Sequence, residues 1–262
     1  MSTLDTYGWD AVVATRISAI NKKLPAVSTP FSETVDASPA KVHVTGELGT
    51  WQIASGGSGR LIHFTVPCSK IKLDNGSKSV EFQKGHFTIE ASLYWELIEG
   101  QATQQQLKIK ADPEVRVLGA MFPESNFEEF ATYAIAGVQA WVKQQEQYPY
   151  AFASVTLSED QAGSSLAWTP AEVDYAYTDT PDTEGVLAVL CKVAGSQQPN
   201  HQLAEVSPEA VPAGQVSAIL LHHTLLAAQL TPLVSAVGWP GHPQSQVQVT
   251  RELSFPIQIN PS

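Results

Sequence analysis

The sequence predicts an α+β fold: a long, highly curved antiparallel sheet wrapped around a long N-terminal helix, with additional helices packed on it. Three observations carry this. From His86 to Ile98, Phe87, Ile89, Ala91, Leu93, Trp95 and Leu97 alternate strictly with more polar residues, the period of a half-buried strand. At about 3.4 Å per residue that strand is roughly 44 Å long, far beyond the usual five or six residues. Trp9, Val13, Ile17, Ile20 and Leu24 recur at the spacing of one helix face. Helical period returns at Phe127, Phe130, Ala134, Val138 and Trp141.

Taken in order, the first helix is capped by Asp5 or Thr6 and ended by Pro25, with Lys22 and Lys23 in its last turn, where cations suit the helix dipole. Strands follow at 41–46, 51–55, 60–67, 70–74, 79–83 and 107–112, and Asn75-Gly76 has the chemistry of a two-residue type I′ turn. Pro123-Glu124-Ser125 starts the second helix and Pro149 closes it. Two strands, 171–178 and 185–193, flank an acidic turn, and Ser207-Pro208-Glu209 reads as a short capped helical turn. A third helix is expected from Val216, with Ile219, Leu220, Leu226, Leu230 and Leu233 inward and a kink at Pro232, before a closing strand at 246–257. No internal repeat divides the chain, and one domain over residues 1–262 is the expectation.

Hydrophobic residues make up 43% and charged residues 16%, which excludes a disordered chain. The net charge of −11 repels phosphate backbones, so nucleic acid is not an expected partner. The charge is uneven: eleven basic residues stand against ten acidic ones up to Lys110, and four against sixteen beyond it. An anionic head group would therefore be met by the first part, where Lys22, Lys23, Arg60, Lys70 and Lys72 are the candidates. Cys68 and Cys191 form no C-x-x-C, so neither a metal knuckle nor a disulfide framework is expected. The opening MSTLDTYGWD lacks a basic n-region and an apolar stretch, which predicts a cytoplasmic location or release without a Sec signal peptide. The most apolar region, 216–237, is interrupted by His222, His223, Thr224, Gln229, Thr231 and Pro232 and does not read as a membrane span.

Catalytic motifs fail one by one. Gly56-Gly57-Ser58-Gly59 is followed by Arg60, so it is no nucleophile elbow; it also lacks the spacing of a P-loop or dinucleotide fingerprint, and reads as a tight turn. The acidic turn after Asp179 lacks EF-hand spacing, and adjacent His222-His223 diverge on a helix. Glu90 and Glu96, six residues apart on a strand, are about 20 Å apart, too far for a glycosidase pair. No enzyme and no cofactor are expected. What stands out is apolar material: Val13, Ile17 and Ile20 on the helix facing Phe87, Ile89, Leu93 and Trp95 on the odd-numbered face of the long strand. These could line a tube for a lipid or other elongated apolar ligand. The competing expectation is a closed core that serves as a scaffold for a protein partner or for a second copy.

Thr6-Tyr7-Gly8-Trp9-Asp10 and Ile20-Asn21-Lys22-Lys23-Leu24 resemble the P-47 family found beside the OrfX proteins in botulinum-type toxin gene clusters. Trp51-Gln52-Ile53, Gly56-Gly57-Ser58-Gly59, Ile62-His63-Phe64-Thr65-Val66-Pro67, Ala210-Val211-Pro212 and Ala218-Ile219-Leu220-Leu221 extend the likeness over most of the chain. The Tyr-Gly-Trp-Asp opening is the most specific of these. The resemblance implies a TULIP-like (tubular lipid-binding) fold, lipid or phosphoinositide interaction, and an accessory role in a toxin assembly.

Overall fold

The computed structural model describes residues 6, 8–37, 40–110, 115–145, 148, 150–157, 170–180, 183–193, 206–222, 225 and 257–258. Its spine is a two-stranded ribbon of β5 (Leu61–Asp74) and β6 (Ser79–Leu97), paired antiparallel from Leu61 opposite Ser92 to Asp74 opposite Ser79. Each strand merges two segments that the sequence reading separates. The hairpin between them turns on Gly76-Ser77, one residue later than expected: Asn75 N–H donates to the Lys78 carbonyl, and Gly76 alone has positive φ (84°), the type II′ pattern.

Each ribbon strand changes its outer partner along its length. β5 is flanked by β4 (Gln52–Ser58) near Leu61 and by β3 (Ala40–Leu48) near Asp74, with β2 (Thr29–Ala37) outside β3. β6 is flanked by β8 (Arg116–Met121) at His86 to Glu90 and by β7 (Gln104–Ile109) at Leu93 to Leu97. β9 (Ala151–Thr156) and β13 (Ile257–Gln258) continue outward from β7. Long strands with the native twist, bulged where partners change, give an antiparallel sheet that curls instead of lying flat. The helix α2 (Ala131–Gln144), entered through a turn at Phe127–Glu129, packs on it as expected, with Ala134, Val138 and Trp141 buried.

A second sheet has the order β10 (Pro170–Thr180), β11 (Thr183–Val193), β1 (Ala11–Arg16), β12 (Ser217–Leu221). Here the long N-terminal helix is corrected: residues 11–16 are a strand, and helix is confined to α1 (Ile17–Asn21). The reason is burial on both faces. Ala11 and Val13 face the main core with Leu187, Val189 and Cys191, while Val12 and Ala14 face a second core with Trp9, Val186, Ala188 and Leu190. A strand covered on both sides reads as a continuous apolar run, and its period is lost. The third helix is corrected for the same stretch: residues 217–221 form β12 against β1, with Ile219 turned to the main core and Leu220 to the second. Leu226, Leu230, Pro232, Leu233 and most of the closing strand lie outside the described residues. Ser207-Pro208-Glu209 behaves as expected, the Ser207 hydroxyl accepting from the Glu209 N–H.

Candidate functional site

The residues expected to line a ligand tube converge on one apolar interior. Phe87, Ile89, Ala91 and Leu93 all point inward, each no more than 4% exposed, opposite Val66, Phe64, Ile62 and, across β7, Ile109. The odd-numbered face of β6 is therefore the inner one. Val13 reaches this interior from β1, and Ile17 and Ile20 from α1, not from one continuous helix face. Ile17 lies against Gly185, where a Cβ would come within 2.6 Å of its Cδ1. Between these walls runs an aromatic seam in which Phe64 contacts Trp51 and Phe152 and Trp51 contacts Tyr148 and Tyr150.

Trp95 ends the inward row. It is half-buried, beside Leu107 of β7, and its indole Nε1 is shielded from solvent without a hydrogen-bond partner among the described residues. Leu97, two residues on, is 55% exposed, so the row leaves the protein there.

The two sheets are joined by polar groups that the sequence reading did not single out. The Tyr175 hydroxyl accepts from the Leu93 N–H and donates to the Arg60 carbonyl, both at 2.9 Å. The Tyr177 hydroxyl donates to the Ala54 carbonyl at 2.8 Å. The Asn21 amide clamps β4, donating to the Ile53 carbonyl and accepting from its N–H, both at 2.9 Å. Gln139 on α2 does the same to the Val115 carbonyl, just before β8, and to the Val117 N–H of β8, both at 2.8 Å. An amide side chain copies the donor and acceptor of a neighbouring strand, so both clamps satisfy an otherwise open backbone edge. The glycine run is more than a turn: Gly59 turns the chain and bridges to Tyr177, Gly56 N–H donates to Asp179, and a Cβ at Gly57 would sit 2.4 Å from the Leu61 carbonyl. Trp9-Asp10 is structural as well. Trp9 fills the second core, and the buried Asp10 carboxylate accepts from the Val193 N–H at 2.8 Å.

The basic candidates do not stand free as a group. Arg60 pairs with Asp174 and covers the Tyr175 ring; Lys72 lies 3.5 Å from Asp74; Lys70 stands opposite Glu47. Hydrogen bonds from Ser28 and Ser69, with Lys70 nearby, hold the Glu47 carboxyl below its ordinary range. Lys22 and Lys23 follow α1 and are exposed. Of groups with chemical potential, His43 meets the Ser32 and Thr34 hydroxyls at 3.3 Å, and His63 meets Glu90 at 3.2 Å. No cluster of three His, Cys, Asp or Glu side chains poised for a metal occurs among the described residues. Nor is any helix among them long and apolar enough to cross a membrane.

Comparison with known proteins agrees with this architecture. The antiparallel, curled fold is shared with P47 from Clostridium botulinum A2, at a TM-score of 0.64 and 18% identity over 86% of this chain and 54% of that one. It is shared also with P47 of C. botulinum E1, at a TM-score of 0.62 and 16% identity over 84% and 53%. In sequence the chain is 27% identical to Protein OrfX3 of Paraclostridium bifermentans over 83% of its own length and 51% of the relative's. For Protein OrfX3 of C. botulinum (strain Kyoto / Type A2) the figures are 24%, 82% and 51%. The chain thus spans about half the length of the curated relatives it matches. The model of the OrfX-like family, Protein OrfX2/OrfX3/P47, matches residues 6–237. With a matching fold and a family match over most of its length, the chain belongs to the OrfX-like family.

Proposed function

We propose that this chain is a non-enzymatic accessory component of a bacterial toxin system that holds a lipid or another elongated apolar ligand along the inner face of β6, in the manner of TULIP proteins. The observation that supports this most directly is Trp95: a shielded indole N–H with no partner among the described residues, at the outer end of an apolar row that runs back through Leu93 and Ile89 to Phe87. A buried donor left unmatched is costly, and a ligand carbonyl or phosphate oxygen at the end of an apolar chain would satisfy it. A second reading, a closed-core component that binds a toxin protein or a second copy, is favoured by the complete burial of Phe87 and Ile89 and by the outward-facing Leu118 and Met121 of β8, 47% and 65% exposed.

Native mass spectrometry of freshly purified protein, followed by organic extraction of the same sample, separates the two. A co-purifying mass of several hundred daltons that extracts as a lipid, and is reduced in Trp95→Phe, is the expected result. A clean apo mass with no uptake from offered lipid vesicles would overturn the ligand reading in favour of the closed-core one.

A further inference from the structure

The inner face of the β5–β6 ribbon continues past the main core to the hairpin tip, and there its chemistry changes. Alternation puts Leu73 and Asn75 of one arm on the same face as Val80 and Lys78 of the other. Phe130 and Tyr133, at the start of α2, stand opposite them, and Val42 of β3 completes a cleft of about 130 Å³. An apolar cavity of about 150 Å³ accommodates benzene, so this cleft suits one ring-sized or branched apolar group and not a long acyl chain.

Its rim carries donors. Lys78 Nζ lies 5.9 Å from the centre of the Phe130 ring and makes no ion pair among the described residues. Asn75 Oδ1 accepts from the Ser77 N–H, the Ser77 hydroxyl and the Lys78 N–H, which fixes the amide and leaves its Nδ2 uncommitted among the described residues. No carboxylate lines the cleft among the described residues: Asp74, Glu81 and Glu129 each neighbour a lining residue in sequence without lining it, and Asp74 points from the opposite face of β5, where it accepts from the Gly76 N–H and meets Lys72. A cation and an amide donor over an apolar floor are complementary to an anion on a compact apolar stem.

We propose that this cleft is a binding site for a carboxylate borne on a single ring-sized or branched aliphatic group, the apolar stem lying against Val80 and Phe130 and the carboxylate meeting Lys78 and Asn75. The site is separate from the interior row ending at Trp95 and does not depend on the lipid reading. The chemistry is that of a small arylalkyl acid or of the free C-terminus of a polypeptide ending in an apolar residue.

The test is a titration of the full chain with 3-phenylpropionate and with its uncharged analogue 3-phenylpropanol, followed by the amide NMR signals of Gly76, Lys78 and Phe130. The expected result is saturable shifts at these residues with the acid, at least fivefold weaker binding of the alcohol, and a loss of about fivefold for the acid in Lys78→Gln. Lys78 is exposed, so this variant retains the fold. Equal binding of acid and alcohol, shifts that map elsewhere, or no shifts would overturn the proposal. A peptide ending in Phe, compared with its amidated form, distinguishes the source: tighter binding of the free-acid peptide than of 3-phenylpropionate assigns the site to a chain terminus, and the reverse assigns it to a small acid.

Discussion

Single atoms join the two sheets. The Tyr175 hydroxyl serves two backbone groups at once, the Leu93 N–H and the Arg60 carbonyl, whereas among the described residues the Tyr177 hydroxyl serves the Ala54 carbonyl alone. Removing a hydroxyl that satisfies buried backbone costs about 1–3 kcal/mol, more when two partners are orphaned. Tyr175→Phe is therefore expected to lower unfolding stability by about 2 kcal/mol and Tyr177→Phe by about 1 kcal/mol. Urea unfolding at neutral pH checks the order, and equal or inverted losses would show that the double role of Tyr175 is not what holds the junction. These residues were invisible in the sequence because their partners lie far away in the chain: Asn21 meets Ile53, and Tyr175 meets Leu93. No local pattern marks a hydroxyl or amide whose partner is a distant backbone group.

Among elements, legibility followed burial. β6 was readable because one face is buried and the other is not, so its alternation survived, and with it the inward set Phe87, Ile89 and Leu93. α2 was readable because one stripe is apolar. β1 was not, since a strand covered on both faces has no polar side to betray its period, and β12, only half-buried, carries apolar residues on both of its faces to the same effect. Trp9, Val13, Ile17 and Ile20 do fall at helical spacing, yet pairing of β1 with β11 and β12 overrides it. The docking of α2 can be tested at Gly137, where a Cβ would lie 2.8 Å from Val44 Cβ and Cγ1. Alanine in a helix interior ordinarily gains about 1 kcal/mol over glycine, but forced overpacking costs about 1–3 kcal/mol. Gly137→Ala is expected to lower the melting temperature, and Val44→Ala in the same chain to recover part of the loss; a rise in the single variant would mean that α2 sits further from β3.

For the whole molecule, the thiols and phenols closed into the core are held neutral by their burial. Burial pushes the Cys68 thiol up to about 11 and raises Cys191 as well, and it also raises the phenols of Tyr148, Tyr150 and Tyr177. In the unfolded chain the same groups ionise near their ordinary values, about 8.5 for a thiol and about 10 for a phenol. Above those values the unfolded state holds fewer protons than the folded one, so stability is full below about pH 8 and falls as pH rises toward 11. The urea midpoint should drop across that interval, and Cys68→Ala should shallow the drop between about pH 8.5 and 11; a midpoint that is flat or rises would contradict neutral burial. The position of β1 has a further consequence, for the order of assembly. It lies between β11 and β12, and Asp10 waits for the N–H of Val193. At a synthesis rate of about 5–20 residues per second, the first strand spends roughly ten to forty seconds without its neighbours. The partners of the β5–β6 ribbon, β3, β4, β7 and β8, all lie nearby in the chain, so it is placed to form before β11 and β12 close on β1.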